Sequence, residues 1–174
     1  MKYADTTDIS IRQLRGEAGE MAELQRVIEA APTYAELITG VPPGLADAQS
    51  TYSVLPEGKA YDDKFVFGVY RGATMVGCAD LIRDYPDRGT ALLGLLLIAE
   101  PYQGQGIGRV AYQQLEAFIR SWNTCSRVRI GVVRTNERAL PFWSKLGFVP
   151  SGEIKPYRYD HVVSETIILT KSLD

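Results

Sequence analysis

Cysteine and histidine are nearly missing from this sequence of 174 residues: Cys78, Cys125 and His161 are all there is of either. Two thiols in separate segments make no disulfide framework. Cys78 falls in an alternating strand pattern and reads as core, and Cys125 reads as loop. With no histidine near either one in sequence, a covalent cysteine mechanism lacks its activating base. His161 lies in an expected turn with no His/Cys cluster around it, so no metal site is expected. Concentrated charge is lacking as well. Nineteen Lys and Arg stand against 21 Asp and Glu, a formal charge of -2, and no basic block suggests a nucleic-acid surface. No segment reaches the roughly 18 consecutive apolar residues of a membrane span. Residues 1–16 lack the apolar core of a signal peptide, so a cytoplasmic location is expected. Repeats, linkers and low-complexity runs are absent, and the length suits one domain, 1–174, with a substantial core.

What is present concentrates in residues 92–122, LLGLLLIAEPYQGQGIGRVAYQQLEAFIRSW. The run 92–98 is apolar at consecutive positions, as expected for a strand covered on both faces, with Gly94 interrupting it. After a polar corner, Ala111, Leu115, Phe118, Ile119 and Trp122 recur at helical spacing. Arg109, Gln113, Gln114, Glu116 and Arg120 take the other side. Between strand and helix lies Gln103-Gly104-Gln105-Gly106-Ile107-Gly108. Glycines at alternate positions let a ligand approach the backbone, and the corner opens into a helix N-terminus whose first N–H groups lack partners and carry the positive end of the helix dipole. A pyrophosphate suits that arrangement. Gly106, Gly108 and Ala111 also meet the dinucleotide spacing G-x-G-x-x-A. That reading fails on context, because the corner sits mid-chain and the next strand, 127–133, carries no carboxylate for a ribose. No Gly-Lys-Ser/Thr triplet marks a nucleoside triphosphate site.

Around this centre the chain reads as a succession of strands and helices. Residues 9–14 alternate as a first strand. Gly16 releases the chain into a helix in which Met21, Leu24, Ile28 and Ala31 repeat before Pro32 ends it. A short helix at 34–38 stops at Gly40, and Pro42-Pro43-Gly44 makes a loop. Residues 65–82 form a hairpin turning at Arg71-Gly72-Ala73, and Pro86-Asp87-Arg88-Gly89 turns into the fourth strand. The helix from 106 then crosses to a fifth strand parallel to the fourth. Residues 149–159 and 164–173 close the chain as a hairpin.

Gln103-x-x-Gly106-x-Gly108 after a hydrophobic strand resembles motif A of the GCN5-related N-acetyltransferases, the GNAT superfamily. Val128 to Val133, Asn136, and the run from Ala139 through Lys145-Leu146-Gly147-Phe148 resemble its motif B in order and spacing. Together they cover about residues 92–152. The resemblance implies an α/β (α+β) single domain. Its sheet is mixed and mostly antiparallel, of six to seven strands, with parallel fourth and fifth strands and helices on both faces. It implies an acyltransferase using acetyl-CoA as co-substrate, moving an acetyl group to a primary amine of a small molecule or of a peptide or protein by direct transfer in a ternary complex. The alternative is a non-catalytic acyl-CoA-binding or sensor protein. Neither nucleic acid nor membrane is an expected partner, and monomer and homodimer both stay open.

The resemblance also implies roles for residues. The main chain of Ile98 pairs with pantetheine and aims its N–H at the thioester carbonyl. Gln103, Gly104, Gln105, Gly106, Ile107, Gly108 and Arg109 hold the pyrophosphate. Asn136 contacts the cofactor arm, though an asparagine there also suits a helix cap. Many relatives carry a tyrosine seven residues after this asparagine as general acid toward the sulfur; here the position is Trp143, whose indole N–H donates but does not deliver a proton at neutral pH. The general acid is therefore unassigned. The glutamate that some relatives carry early in the fourth strand falls on Leu92. Glu100, at the strand's exit, is the candidate general base, against a plain reading as a solvated loop residue. Tyr34, Asp80, Asp84, Tyr157 and Tyr159 are candidate acceptor-lining residues, each also readable as ordinary core or sheet surface.

Overall fold

Alternation of apolar and polar residues in the first strand, and near-continuous apolar runs covered on both faces in the three that follow, produce antiparallel strands in the computed structural model, which describes residues 7–174. They are β1 (Ile9–Gln13), β2 (Lys64–Arg71), β3 (Thr74–Arg83) and β4 (Thr90–Ile98). Gly72 makes the β2–β3 turn at φ 57°. The sheet has seven strands in the order β1-β2-β3-β4-β5-β7-β6, where β5 is Arg127–Val133, β6 Val149–Tyr159 and β7 Val162–Ser172. Only β4 and β5 are parallel neighbours. The closing hairpin returns so that β7 lies against β5 and β6 forms the sheet edge. That insertion of the last strand is a long-range pairing that the local pattern does not announce.

Helices cover both faces, as expected. On one face α1 (Ala18–Glu29) buries Leu24, Val27 and Ile28 against Val66, Met75, Cys78 and Leu97. Its start is fixed by the Glu20 carboxylate, which accepts the Arg15 N–H at 2.7 Å and the Glu17 N–H at 3.3 Å. Next, α2 (Pro32–Thr39) begins on a proline, whose missing N–H is no loss in a first turn, and ends at Gly40 with φ 80°. A third helix, α3 (Asp47–Ser53), follows the Pro-Pro-Gly loop and packs Ala48 into the same layer. Its sequence, DAQSTYS, has no apolar period, and so it is invisible to a periodicity argument.

On the opposite face α4 (Ile107–Ser121) buries Ile107, Ala111, Tyr112, Leu115 and Ile119, the stripe its spacing implies. Burying Leu115 and Ile119 there contributes about 2 kcal/mol apiece. After a 3-10 turn at Arg134–Ala139, α5 (Leu140–Lys145) sets Trp143 against Tyr112 and Phe148 with edge-to-face rings 6.1 and 5.3 Å apart. Among the described residues no helix is long and apolar enough to cross a membrane.

Candidate active site

Parallel pairing of β4 with β5 is short. Thr90, Ala91 and Leu92 face Arg127, Val128 and Arg129, and beyond Leu92 the strands part. The cause lies in β4 itself. Asp80 of β3 pairs with Leu95 while Leu81 pairs with Leu93, so Gly94 is the extra residue of a bulge. A bulge bends its strand and increases local twist. Between the parted strands opens a cleft of about 680 Å³, floored by residues 93–98 and walled by Ile130 to Val133, α2 and the segment 136–143.

The parting leaves one edge of β4 unpaired. Ala99 donates its N–H to the Val76 carbonyl at 2.9 Å, on the β3 side. By strand alternation the main chain of Ile98 faces the cleft. The Ile98 carbonyl is taken by Gln103 Nε2 at 2.8 Å, which leaves the Ile98 N–H as the donor pointing into the gap. Gln103 lines the cleft and staples the corner to the strand exit.

The corner itself follows a 3-10 turn at Glu100–Tyr102. Gly104 and Gly106 have φ 73° and 83°, a region open to glycine and costly to other residues. Nothing lies within 4 Å of where a Cβ on Gly104 would stand, whereas one on Gly108 would come within 3.3 Å of the Phe142 ring. The two glycines therefore serve different ends, an open cradle and close packing of α4 on α5. The N–H groups of Gly104, Gln105 and Gly106 make no main-chain hydrogen bond among the described residues. They adjoin the partnerless first-turn N–H groups of α4. An anion of pyrophosphate shape fits this donor set, and Arg109 stands beside it on the cleft wall.

Ten of the sequence-derived residues line this one cleft: Tyr34, Ile98, Gln103, Gly104, Gly106, Ile107, Gly108, Arg109, Asn136 and Trp143. Asn136 does not cap α5, whose N-cap is Ala139, and its side chain makes no hydrogen bond to any described residue. Trp143 is 9% exposed and belongs to the aromatic core as well as to the cleft wall. Tyr34 is half-buried; burial, then the neighbouring Tyr157 and Cys78, push its phenol up to about 12. At neutral pH that hydroxyl donates and does not act as a base.

Other expected residues stand elsewhere. The Gln105 side chain turns away from the cleft, accepting from Arg71 Nη2 and donating to the Pro101 carbonyl, both at 3.0 Å. Glu100 also lies off the cleft lining. Its Oε1 accepts the Thr33 N–H at 2.9 Å, which satisfies the first turn of α2, and Thr33 holds its carboxyl below the ordinary range. A lowered carboxyl is a weaker proton acceptor than one tuned toward neutrality. Asp84 is at the far end of β4, where its Oδ1 accepts the Gly89 N–H at 2.8 Å and shapes the β3–β4 turn. Asp80 forms a buried ion pair with Lys64 at 2.7 Å beside the Gly94 bulge; burial raises its carboxyl and Lys64 opposes that. Tyr157 donates its hydroxyl to the Ile38 carbonyl at 2.7 Å, tying β6 to α2. Tyr159 is half exposed and borders a second cavity of about 240 Å³ under α1, α2 and α3.

Three contributors escaped the sequence argument. Arg138 and Phe142 line the cleft from the 3-10 turn and α5. Their helical proximity to Asn136 and Trp143 was the available signal. Arg71, 34 positions from Gln105, carried no local signal at all.

Comparison with known proteins agrees with this geometry. The sequence model of the Acetyltransferase (GNAT) family matches residues 32–148. The spermine/spermidine N(1)-acetyltransferase of Bacillus subtilis (strain 168) is 26% identical over 110 residues, 63% of this chain and 69% of that protein. An acetyltransferase structure from Thermus thermophilus superposes with TM-score 0.69 at 26% identity, covering 94% of this chain and 97% of that one. A GNAT family acetyltransferase from Elizabethkingia anophelis, with acetyl-CoA bound, has the same fold with TM-score 0.65 at 16% identity, covering 96% and 99% of the two chains. A match running from the start of α2 through Phe148 spans the parted strands, the glycine corner and the asparagine segment in one alignment, and on that ground the chain belongs to the GNAT acetyltransferase family.

Proposed function

We propose that this protein is an acetyl-CoA-dependent N-acetyltransferase acting on a primary amine by direct transfer within a ternary complex. The observation that carries the reading is the pairing of the free Ile98 main-chain edge with the donor-rich corner 104–109 in the same cleft. Acetyl-CoA supplies an activated acyl carbon: a C–N bond to the amine forms as the C–S bond breaks, and the amine's proton goes to solvent. The Ile98 N–H is positioned to stabilise negative charge on a carbonyl oxygen. The corner and Arg109 bind phosphate, and Arg138 adds a second cation across the cleft. Asn136 offers an uncommitted amide to the cofactor arm. Tyr34, a protonated hydroxyl on the cleft wall, is the donor available to a departing thiolate where Trp143 cannot serve. Among the described residues the cleft lining includes no carboxylate and no imidazole, which favours an amine that reaches it already neutral. The relative that acetylates spermine and spermidine supports a small amine as acceptor.

The test has two parts. Calorimetric titration should show saturable binding of acetyl-CoA and CoA but not of NADH or ATP, and a broad amine panel should release CoA thiol. Binding without thiol release would favour the second reading, a non-catalytic acyl-CoA sensor, which the buried Trp143 motivates. Loss of CoA binding would remove both.

A further inference from the structure

We propose that the acceptor is a monoamine with an apolar body, and that this body lodges in the second cavity, a half-open pocket lined by α1, α2, α3 and β4. The assignment rests on the acetyl-transfer reading above and adds the substrate class. Tyr34, Ile38, Leu95 and Leu97 line both the cleft and the second cavity, so the two spaces meet along β4 just beyond the Gly94 bulge. An amine held at that junction faces the Ile98 edge while the rest of the molecule extends under the helices.

Size and chemistry then select the body. The cavity holds about 240 Å³. An apolar cavity of about 150 Å³ accommodates benzene, so a ring with a two-carbon arm or a branched chain of four or five carbons fits. Ile28 and Ala31 from the helices and Leu95 and Leu97 from the sheet supply aliphatic surface, and Tyr34 and Tyr159 supply rings. Polar atoms come from α3, as the hydroxyls of Ser50 and Thr51 and the carboxylate of Asp47, and from α2 as the Thr39 hydroxyl, which already donates to the Ala35 carbonyl at 2.7 Å. Among the described residues Asp47 is the one charged residue in the lining, and its Oδ2 already accepts the Gly44 N–H at 2.9 Å. A second ammonium, as in a polyamine, would meet aliphatic walls and a single engaged carboxylate. The carboxylate of an amino acid would meet no cation. Burying either charge unpaired is unfavourable. The polyamine acceptors in the name of the Bacillus subtilis relative are thus not what this cavity selects.

The experiment measures CoA thiol release by the full-length protein at saturating acetyl-CoA. The acceptors are 2-phenylethylamine and 3-methylbutylamine, set against putrescine, spermidine and a lysine-containing peptide. The expected result is kcat/KM for the apolar monoamines at least about tenfold above the others. Thr51→Phe, which fills the cavity from a half-buried position on α3, should raise KM for 2-phenylethylamine about tenfold or more and leave the acetyl-CoA Kd unchanged. Equal or better turnover of spermidine or the peptide overturns the assignment, as does a Thr51→Phe protein with unaltered KM. If no amine releases thiol, the acetyl-transfer reading falls, and the cavity is judged by binding. Saturable binding of 2-phenylethylamine to the CoA-loaded protein, lost in Thr51→Phe, sustains the apolar site; no binding to the parent protein refutes it.

Discussion

A tryptophan occupies the position where many relatives place a phenol, and its surroundings explain why it is tolerated. Trp143 packs edge-to-face against Phe142, Tyr112 and Phe148. Its value is packing, so Trp143→Phe should keep kcat within about threefold, while Trp143→Ala should cost about 3 to 5 kcal/mol of stability, read by chemical denaturation. A hundredfold fall in kcat for the phenylalanine variant would show that the indole N–H takes part in chemistry. Tyr34 should behave in the opposite way. Tyr34→Phe is expected to lower kcat by about ten- to a hundredfold with the acetyl-CoA Kd unchanged. Glu100 is held by Thr33 with a lowered carboxyl. The contribution of that contact is complete above the unfolded carboxyl pKa and is lost as pH falls through the folded one. Glu100→Gln should therefore lower thermal stability at pH 7, converge with the parent in acid, and leave turnover largely intact. If no protein group deprotonates the amine, log kcat/KM should rise with pH at unit slope until the acceptor amine itself is neutral, near about pH 10 for an alkylamine. A plateau near neutrality with such an amine would instead reveal an enzyme base.

At the scale of elements, the glycine corner depends on a support that lies behind it. Arg71 at the end of β2 fixes Gln105, and Gln105 in turn fixes Pro101, so the main chain at 104–106 is presented to the cleft by side chains facing away from it. The Arg71 guanidinium also stands 5.7 Å from the Tyr102 ring centroid. Removing a hydrogen bond from a charged group costs about 1.5 to 3 kcal/mol. If half of that appears as loosened loop geometry, Arg71→Met raises the acetyl-CoA Kd roughly three- to tenfold with little change in kcat. Titration of the variant decides it, and an unchanged Kd would mean that the corner holds its shape without Arg71. The Gly94 bulge does similar work for the strand pair. Without it β4 would continue beside β5, and no free edge would exist at Ile98.

Across the whole molecule, the sheet is braced to α4 at the end of the chain. Lys171 of β7 lies 2.5 Å from a Glu116 oxygen, and Arg120 bonds both Glu116 and the Leu173 carbonyl. Burial opposes ionisation of Glu116, but hydrogen bonds led by Lys171 outweigh it and hold the carboxyl low. A lowered carboxyl stabilises fully above its unfolded value of 4.5 and loses that contribution as pH falls through the folded pKa. Lys171→Met should therefore destabilise at pH 7, and parent and variant should converge in acid denaturation curves. Parallel curves across the range would mean that the pair contributes nothing that depends on ionisation.

Much of this was legible in the residues alone. Short-range rules act through neighbours in the chain, so the periods of β1 to β5, α1 and α4, the turn glycine at 72, the corner glycines at 104 and 106, and the spacing from Gln103 through Asn136 to Phe148 all declare themselves in sequence. They were enough to indicate the family and ten of the residues that line the cleft. Three-dimensional packing decided the remainder, because it joins groups that sequence keeps apart. Glu100 became a helix anchor through Thr33, Gln105 turned toward Arg71, Asp84 went to a turn, and β7 entered between β5 and β6. The cavity beneath the polar helix α3 arose in the same way: no residue of DAQSTYS signals a binding wall until α1, α2 and β4 close around it.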